Sequence, residues 1–405
     1  MDFKIINDPV FGFIRIPKGL LYKLLCHPYL YRLSRIKQLG LANLVFPGAQ
    51  HTRFQHSVGA YHLTCLAINS LVRKGQFIFD SEEEAVCSAI LLHDIGHGPF
   101  SHVLEHSLIQ DLSHEDISLI IMERLNEEFK GELSLAIKIF KNEYPKKFLH
   151  QLVSSQLDMD RLDYLRRDSF FTGVTEGNIG SSRIIDMLNV VDDHLVVEKK
   201  GIYSIENYLV SRRLMYWQVY LHKTAVAAEQ MLINALKRAK YLALQNVAVF
   251  ASPSLEYFLK NTINKNTFSN DRNILEHFMR LDDYDIWCSL KVWTTHSDKI
   301  LSILSTNIIN RNIFKVEISD TPFSDEYING KKERLKKALC LDDESIDYLL
   351  CTIKVCNDMY NIYDDSIEIL DKNEVISDVS QLSDMLNIEL LSKHVTKYYL
   401  CYNRI

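Results

Sequence analysis

The chain has 405 residues, of which 47% are apolar, and a formal net charge of -6. That length exceeds what one hydrophobic core usually organises, so two domains are expected, and the acidic balance gives no general basic field for nucleic-acid binding. The opening segment has no basic stretch followed by an apolar run, and no later stretch stays uncharged long enough for a bilayer. A cytoplasmic protein without a membrane partner is expected.

In chain order, FKIIN and GFIRIP alternate around Asn7-Asp8-Pro9 and predict a short hairpin. Apolar residues then recur at helical spacing through 17–38, 52–73, 82–95, 112–126, 131–140, 146–155, 158–170 and 181–188, which predicts a helical bundle. HLVVEKKGIYSI places β-branched runs on both sides of Lys199-Lys200-Gly201 and predicts a second hairpin, followed by one long helix over 205–246. From Ser252 onward helical patterns mix with the strand-like runs FKVEISD, CTIKVCN and IEILD. The expected fold is mainly α: a helical bundle with small β-hairpins over 1–250, then a smaller α+β domain over 251–405 for regulation or oligomerisation. Eight cysteines are scattered without any Cys-x-x-Cys pair, so neither a disulfide framework nor a zinc ribbon is expected.

Eight of the fifteen histidines fall within 51–114, a density that core packing does not require. Within it, LLHDIGHGPFSH sets His93 beside Asp94 at the end of an apolar helix that Gly96 and Gly98-Pro99 terminate. Such a pair offers one nitrogen and one oxygen to a borderline divalent cation, and further ligands must come from elsewhere. His56, in HTRFQHS, begins an upstream helix and Asp160, in QLDMDRLDYLRRD, a downstream one. A bare His-Asp dipeptide is commonplace, whereas the order His, His-Asp, Asp is not. The set His56, His93, Asp94 and Asp160 leaves positions open for water or phosphate oxygen. Mixed imidazole and carboxylate ligation suits one transition metal, iron, manganese, nickel, cobalt or zinc, and magnesium can accompany a nucleotide.

Phosphate-handling candidates surround these ligands: Arg53, Arg161 and Arg167, each able to make bidentate contacts. Asp160, Tyr164, Arg167 and Asp168 share one helical face; a solvated ion-paired stripe would look similar, but the tyrosine favours a cleft wall. Arg212, Tyr216, Tyr220 and Lys223 form a second such face suited to a nucleotide. His97, His102, His114 and Glu115 are acid–base candidates, with Glu105 one turn from His102 and able to orient it.

The strings INDPVFGFI, RIKQLG, VFPGAQHTRFQHSVG, LLHDIGHGPFSH, LDMDRLDYLRRD and VYLHKT, in that order, resemble the HD-domain deoxynucleoside triphosphate triphosphohydrolases over roughly residues 1–245. The resemblance implies that His56, His93, Asp94 and Asp160 hold a catalytic metal, with Arg53, His97, Arg161, Tyr164 and Arg212 around the triphosphate. It makes His102 the general acid, supported by Glu105, with His114 nearby. It puts Gln38, Leu39 and Asp168 against the sugar, and Tyr220 where a ribose 2′-hydroxyl would sit. It further implies a homo-oligomer, dimer or tetramer, and nucleotide activation. Tyr216 and Leu221 depart from the animal enzymes' pattern, as do Cys26, Tyr31 and Ser34 at their guanine activator site, so activation by GTP is not expected to carry over.

The function expected is hydrolysis of a deoxynucleoside triphosphate to deoxynucleoside and triphosphate. The rivals are an HD phosphatase or phosphodiesterase acting on another nucleotide, and a nucleotide-sensing module without turnover.

Overall fold

A computed structural model describes residues 2–100, 103, 107–357, 366–383 and 395–404 of the protein. The first hairpin forms as expected. Strands β1 (Phe3–Asp8) and β2 (Gly12–Pro17) pair antiparallel, and Gly12 closes the turn at φ +76°. The expected helix over 17–38 is interrupted instead. Helix α1 (Leu20–Cys26) stops at His27, held in an extended conformation by Pro28 behind it.

Helices α2 (Arg53–Arg73), α3 (Asp80–Leu92), α4 (His114–Glu128), α5 (Ser134–Phe140) and α6 (Met159–Thr172) form the bundle, with α2 packed against both α3 and α6. A capping box between Thr52 and Gln55 starts α2, and Asp158 caps α6. Both caps therefore fix helix starts that carry candidate ligands. Gly59 permits the close approach of α2 to α6, because a Cβ there would lie 1.9 Å from Asp163 Oδ1.

Two local expectations are corrected. The second hairpin lies one strand upstream: β3 (Leu188–Val191) pairs with β4 (His194–Glu198) around Asp192 and Asp193, at φ 48° and 61°. Aspartate tolerates the left-handed conformation that a two-residue turn requires, whereas Lys199–Gly201 coil into a 3-10 turn leading into α7 (Ile202–Met215). The long helix over 205–246 is broken as well. A π-helical stretch at Tyr216–Tyr220 ends α7, and the His222 side chain accepts from the Thr224 amide to start α8 (Lys223–Leu244).

Helices α9 (Arg272–Arg280), α10 (Asp283–Trp293) and α11 (Lys299–Ile309) follow, with α11 packed on α8. The strand-like runs appear as β5 (Lys315–Ser319), β6 (Leu350–Asn357) and β7 (Glu368–Leu370), joined by β8 (Ile376–Asp378) and β9 (Val395–Tyr402). Strand β9 lies between β5 and β6, antiparallel to both, while β7 pairs parallel with β4 in a sheet ordered β8-β7-β4-β3. The C-terminal segment thus adds strands to a sheet begun by the N-terminal one, and one apolar cluster runs from Ile14 to Cys401.

The start of α10 also holds the loops that lead to the site. Buried Arg32 donates to the carbonyls of Leu281 (3.0 Å), Ile95 (3.1 Å) and His97 (2.8 Å). Asp283 accepts the amides of Lys37 (2.8 Å) and Phe100 (3.0 Å). Burial lowers the Arg32 guanidinium to about 9 and raises the Asp283 carboxyl to about 6. No helix among the described residues is long and apolar enough to cross a membrane.

Candidate active site

Three helix ends converge on one point. His56 comes from the first turn of α2, His93 directly follows α3, and Asp160 lies in the first turn of α6. His93 Nδ1 is 2.6 Å from the Ile90 carbonyl, which leaves Nε2 facing His56 Nε2 at 3.3 Å. Asp160 Oδ1 lies 3.0 Å from His56 Nε2 and 3.5 Å from His93 Nε2. Ligands bound at the usual 2.0–2.2 Å to one cation stand roughly 3.0–3.5 Å apart, so these three atoms fit a shared ion. Asp94 borders the same group, its Oδ1 3.4 Å from His93 Nε2 and its Oδ2 3.8 Å from His56 Nε2.

The electrostatics agree with the donor chemistry. Although burial opposes it, hydrogen bonds donated to Asp160 and Asp163 push His56 up to about 10, and Asp94 and Asp160 raise His93. The same contacts overcome burial to hold Asp160 and Asp94 well below the usual carboxylate range. Several carboxylates packed round two imidazoles make a negative pocket, and a divalent cation bound there would displace imidazole protons. Asp94 is also bonded by Arg53 Nη1 and lies 3.3 Å from His97 Nδ1. Burial and the Arg53 charge bring His97 down to about 3, and its ring lies 3.9 Å from that of His114.

A cavity of about 970 Å³ opens beside this cluster. Gln38, Leu39, Arg53, His93, Asp94, His97, His114, Asp160, Arg161, Tyr164, Asp168 and Tyr220 all reach its wall. Arg212 lies behind the wall, 8% exposed, with its guanidinium 5.9 Å from the Tyr216 ring. His102 and Glu105 lie outside the described residues.

The HD domain family matches residues 53–168, and the HD associated region matches 179–250. The crystal structure of a phosphohydrolase from Bacteroides thetaiotaomicron superposes with a TM-score of 0.97 at 63% identity, covering 100% of both chains. The uncharacterized protein YwfO of Bacillus subtilis is 34% identical over 319 residues, 77% of this chain and 71% of its own. The chain belongs to the HD-domain phosphohydrolases. A deoxynucleoside triphosphate triphosphohydrolase SAMHD1 homolog of Dictyostelium discoideum is 30% identical over 256 residues, 58% of this chain. That match spans about half of the relative's length, 49%.

Within this HD site one expectation is corrected. Arg167 does not face the cavity; it is fully buried, forked on Asp163 at 2.9 Å and bonded to Asp8 at 2.8 Å. A helical wheel could not separate it from Asp160 and Tyr164, because the close packing against Gly59 decides which part of the stripe is covered.

Three residues escaped the sequence reading. Asp163 Oδ2 lies 2.7 Å from His56 Nδ1, a contact that fixes which imidazole nitrogen faces the metal position. Its spacing, three residues after Asp160, was the available signal. His51 Nε2 lies 2.7 Å from Asp168 Oδ1, and the Tyr220 hydroxyl donates to Asp168 Oδ2 at 2.8 Å. Asp168 thus already holds two neighbours while bordering the cavity. Glu229, on α8, lines the same cavity, and no motif announced it.

Proposed function

We propose that this HD phosphohydrolase hydrolyses deoxynucleoside triphosphates to deoxynucleoside and triphosphate. The observation that carries the reading is a pair of guanidinium groups short of acceptors, Arg161 on the cavity wall next to Asp160 and Arg212 buried behind it. Among the described residues, Arg161 Nε and Arg212 Nε and Nη1 are buried with no hydrogen-bond partner, although Arg161 Nη1 is held by Asp158. Buried guanidinium groups left short of acceptors call for an anion with many oxygens, and a triphosphate supplies them.

A divalent cation at His56, His93, Asp94 and Asp160 would polarise a phosphate oxygen and make a bound water more acidic; iron, manganese, nickel, cobalt and zinc all suit the donors. The chain's own residues do the rest. Arg53 neutralises Asp94 and presents charge to the cavity, while Arg161, braced by Asp158 at 2.6 Å, lies next to Asp160. His97 stays neutral at physiological pH and so can accept a hydrogen bond near the phosphate. His102, with Glu105, is assigned proton delivery to the departing deoxynucleoside on the strength of the family pattern. Gln38, Leu39 and Asp168 are assigned to the sugar, and Tyr220 to exclusion of a 2′-hydroxyl.

The test is product analysis after incubating the metal-loaded protein with each dNTP, singly and mixed. Deoxynucleoside with tripolyphosphate is expected. Orthophosphate, or a nucleoside monophosphate, would overturn this chemistry in favour of a phosphatase or phosphodiesterase, and binding without turnover would favour a sensor. Homo-oligomerisation and nucleotide activation are proposed with it and are checked by light scattering with and without each nucleotide.

A further inference from the structure

Part of the cavity wall differs in composition from the catalytic cluster. Leu39, Val226, Ile233, Ile353 and Val355 form it, contributed by the loop after Gln38, by α8 and by β6. Among these apolar walls stands one acid, Glu229. An ideal Cβ on Gly40 would lie 3.6 Å from its Oε1, so the carboxyl sits against the Leu39–Gly40 backbone. Gly40 has φ +48°, which keeps that backbone free of a side chain and leaves the carboxyl room. Lys354, on the facing strand, is exposed and makes no ion pair with it among the described residues. Burial alone raises the Glu229 carboxyl to about 7, with no partner charge or hydrogen bond acting on it among the described residues.

Apolar walls around one polar group are how proteins bind flat heteroaromatic rings, the apolar walls supplying affinity and the polar group the choice. The acid is a hydrogen-bond acceptor when ionised, and its two oxygens match two adjacent N–H donors. Guanine offers that pair in its ring N1–H and exocyclic amino group. Adenine and cytosine set an amino group beside an acceptor nitrogen, and thymine sets its N–H between two carbonyls.

Resting on the proposed deoxynucleotide reading, we propose that this part of the cavity is the nucleobase subsite and that Glu229 makes it prefer guanine. Glu229 is then a specificity-determining residue that touches the base and takes no part in bond breaking.

The experiment is calorimetric titration of the full-length, metal-bearing protein with slowly hydrolysed α-thio analogues of dGTP, dATP, dCTP and dTTP. Preference for the guanine analogue over the thymine analogue should be on the order of tenfold or more, the effect of one charge-assisted hydrogen bond. Glu229→Gln should abolish that preference by turning an amide N–H₂ toward the guanine donors, while thymine affinity stays within about twofold. Glu229→Asp keeps a carboxylate and should retain part of the preference, which separates recognition from a general packing defect. Equal binding of the four analogues by the unaltered protein, or an undiminished guanine preference in Glu229→Gln, overturns the inference and leaves the hydrolysis reading intact. Failure of all four analogues to bind overturns the deoxynucleotide reading, and this inference with it.

Discussion

Two parts of the cavity wall follow opposite rules. At the catalytic cluster charge is dense and, Arg161 Nε and the Arg212 nitrogens apart, partnered: Asp94 meets Arg53, His56 lies between Asp160 and Asp163, and Asp163 in turn holds Arg167. Around Glu229 the wall carries apolar side chains, and this acid has no partner among the described residues. The contrast separates two tasks. A partnered network holds groups in place before substrate arrives, as chemistry at phosphorus requires. An unpartnered acid waits for its partner on the ligand, as selection requires.

Removing a ligand attacks the catalytic cluster most directly and has the largest expected effect. Asp160→Ala should lower turnover on the order of ten-thousandfold, because loss of the metal removes the whole catalytic arrangement. Metal content measured by elemental analysis should fall with it, while far-ultraviolet circular dichroism keeps its helical signal, since the core is carried by apolar helix faces. Full metal content in the variant would remove Asp160 from the ligand set.

Next in size is a test of whether the network is structural as well as catalytic. Arg167→Met leaves Asp163 and Asp8 buried without their cation, which should cost about 3–5 kcal/mol in urea unfolding. Arg167 and His56 hold Asp163 below its ordinary value of 3.8 despite burial. The stability they supply is therefore present above that pH and lost as pH falls through the lowered value. The difference between Arg167→Met and the unaltered protein should accordingly shrink in acid. A constant difference down to acid unfolding would mean that packing, not charge pairing, accounts for the loss.

The same contrast explains what could be read in advance. His56, His93, Asp94 and Asp160 stand at helix starts and ends marked by Thr52, Gly96 and Asp158, local signals that survive in one dimension. The helices of the bundle and the strands β5, β6 and β7 were legible for the same reason, as period and composition. Arg167 was misplaced because which half of a polar stripe is covered depends on another helix, here α2 at Gly59. The break at Tyr216–His222 was hidden because a π turn leaves the apolar spacing nearly helical. Glu229 was invisible because its setting is assembled from residues near 39, 229 and 354, which only the fold brings together.

The setting of Glu229 can be tested without any nucleotide. Burial raises the Glu229 carboxyl to about 7 from an ordinary value of 4.5. Below 4.5 it is protonated in both folded and unfolded chains and has no effect on their balance. As pH rises toward 7 the unfolded chain releases this proton and the folded one keeps it, so stability falls by up to roughly 3 kcal/mol and then levels off. Glu229→Gln lacks this term, and its stability relative to the unaltered protein should grow across that window. Parallel stability curves for the two proteins would show that solvent or another group already satisfies the carboxyl.

The smallest expected effect lies at Tyr220, on the wall of the same cavity. Its ring makes edge contacts with Tyr164 and Tyr216, at centroid distances of 5.9 and 5.1 Å, and its hydroxyl is tied to Asp168, itself tied to His51. Two ring contacts and one hydrogen bond leave the ring little freedom, so it can act as a fixed wall rather than a cushion. A fixed wall is what discrimination against one added hydroxyl needs, because a movable ring would yield to ribose at small cost. Tyr220→Ala should therefore relax the proposed preference for dNTP over NTP by about tenfold in kcat/KM, the range expected when a pocket loses a steric filter. Tyr220→Phe separates the wall from its tether. It keeps the ring but frees Asp168 from one donor, so a loss of selectivity intermediate between the two proteins would assign the effect to rigidity. Selectivity unchanged in Tyr220→Ala would place the discrimination on another part of the sugar's surroundings, with Gln38 and Leu39 the next to be tested.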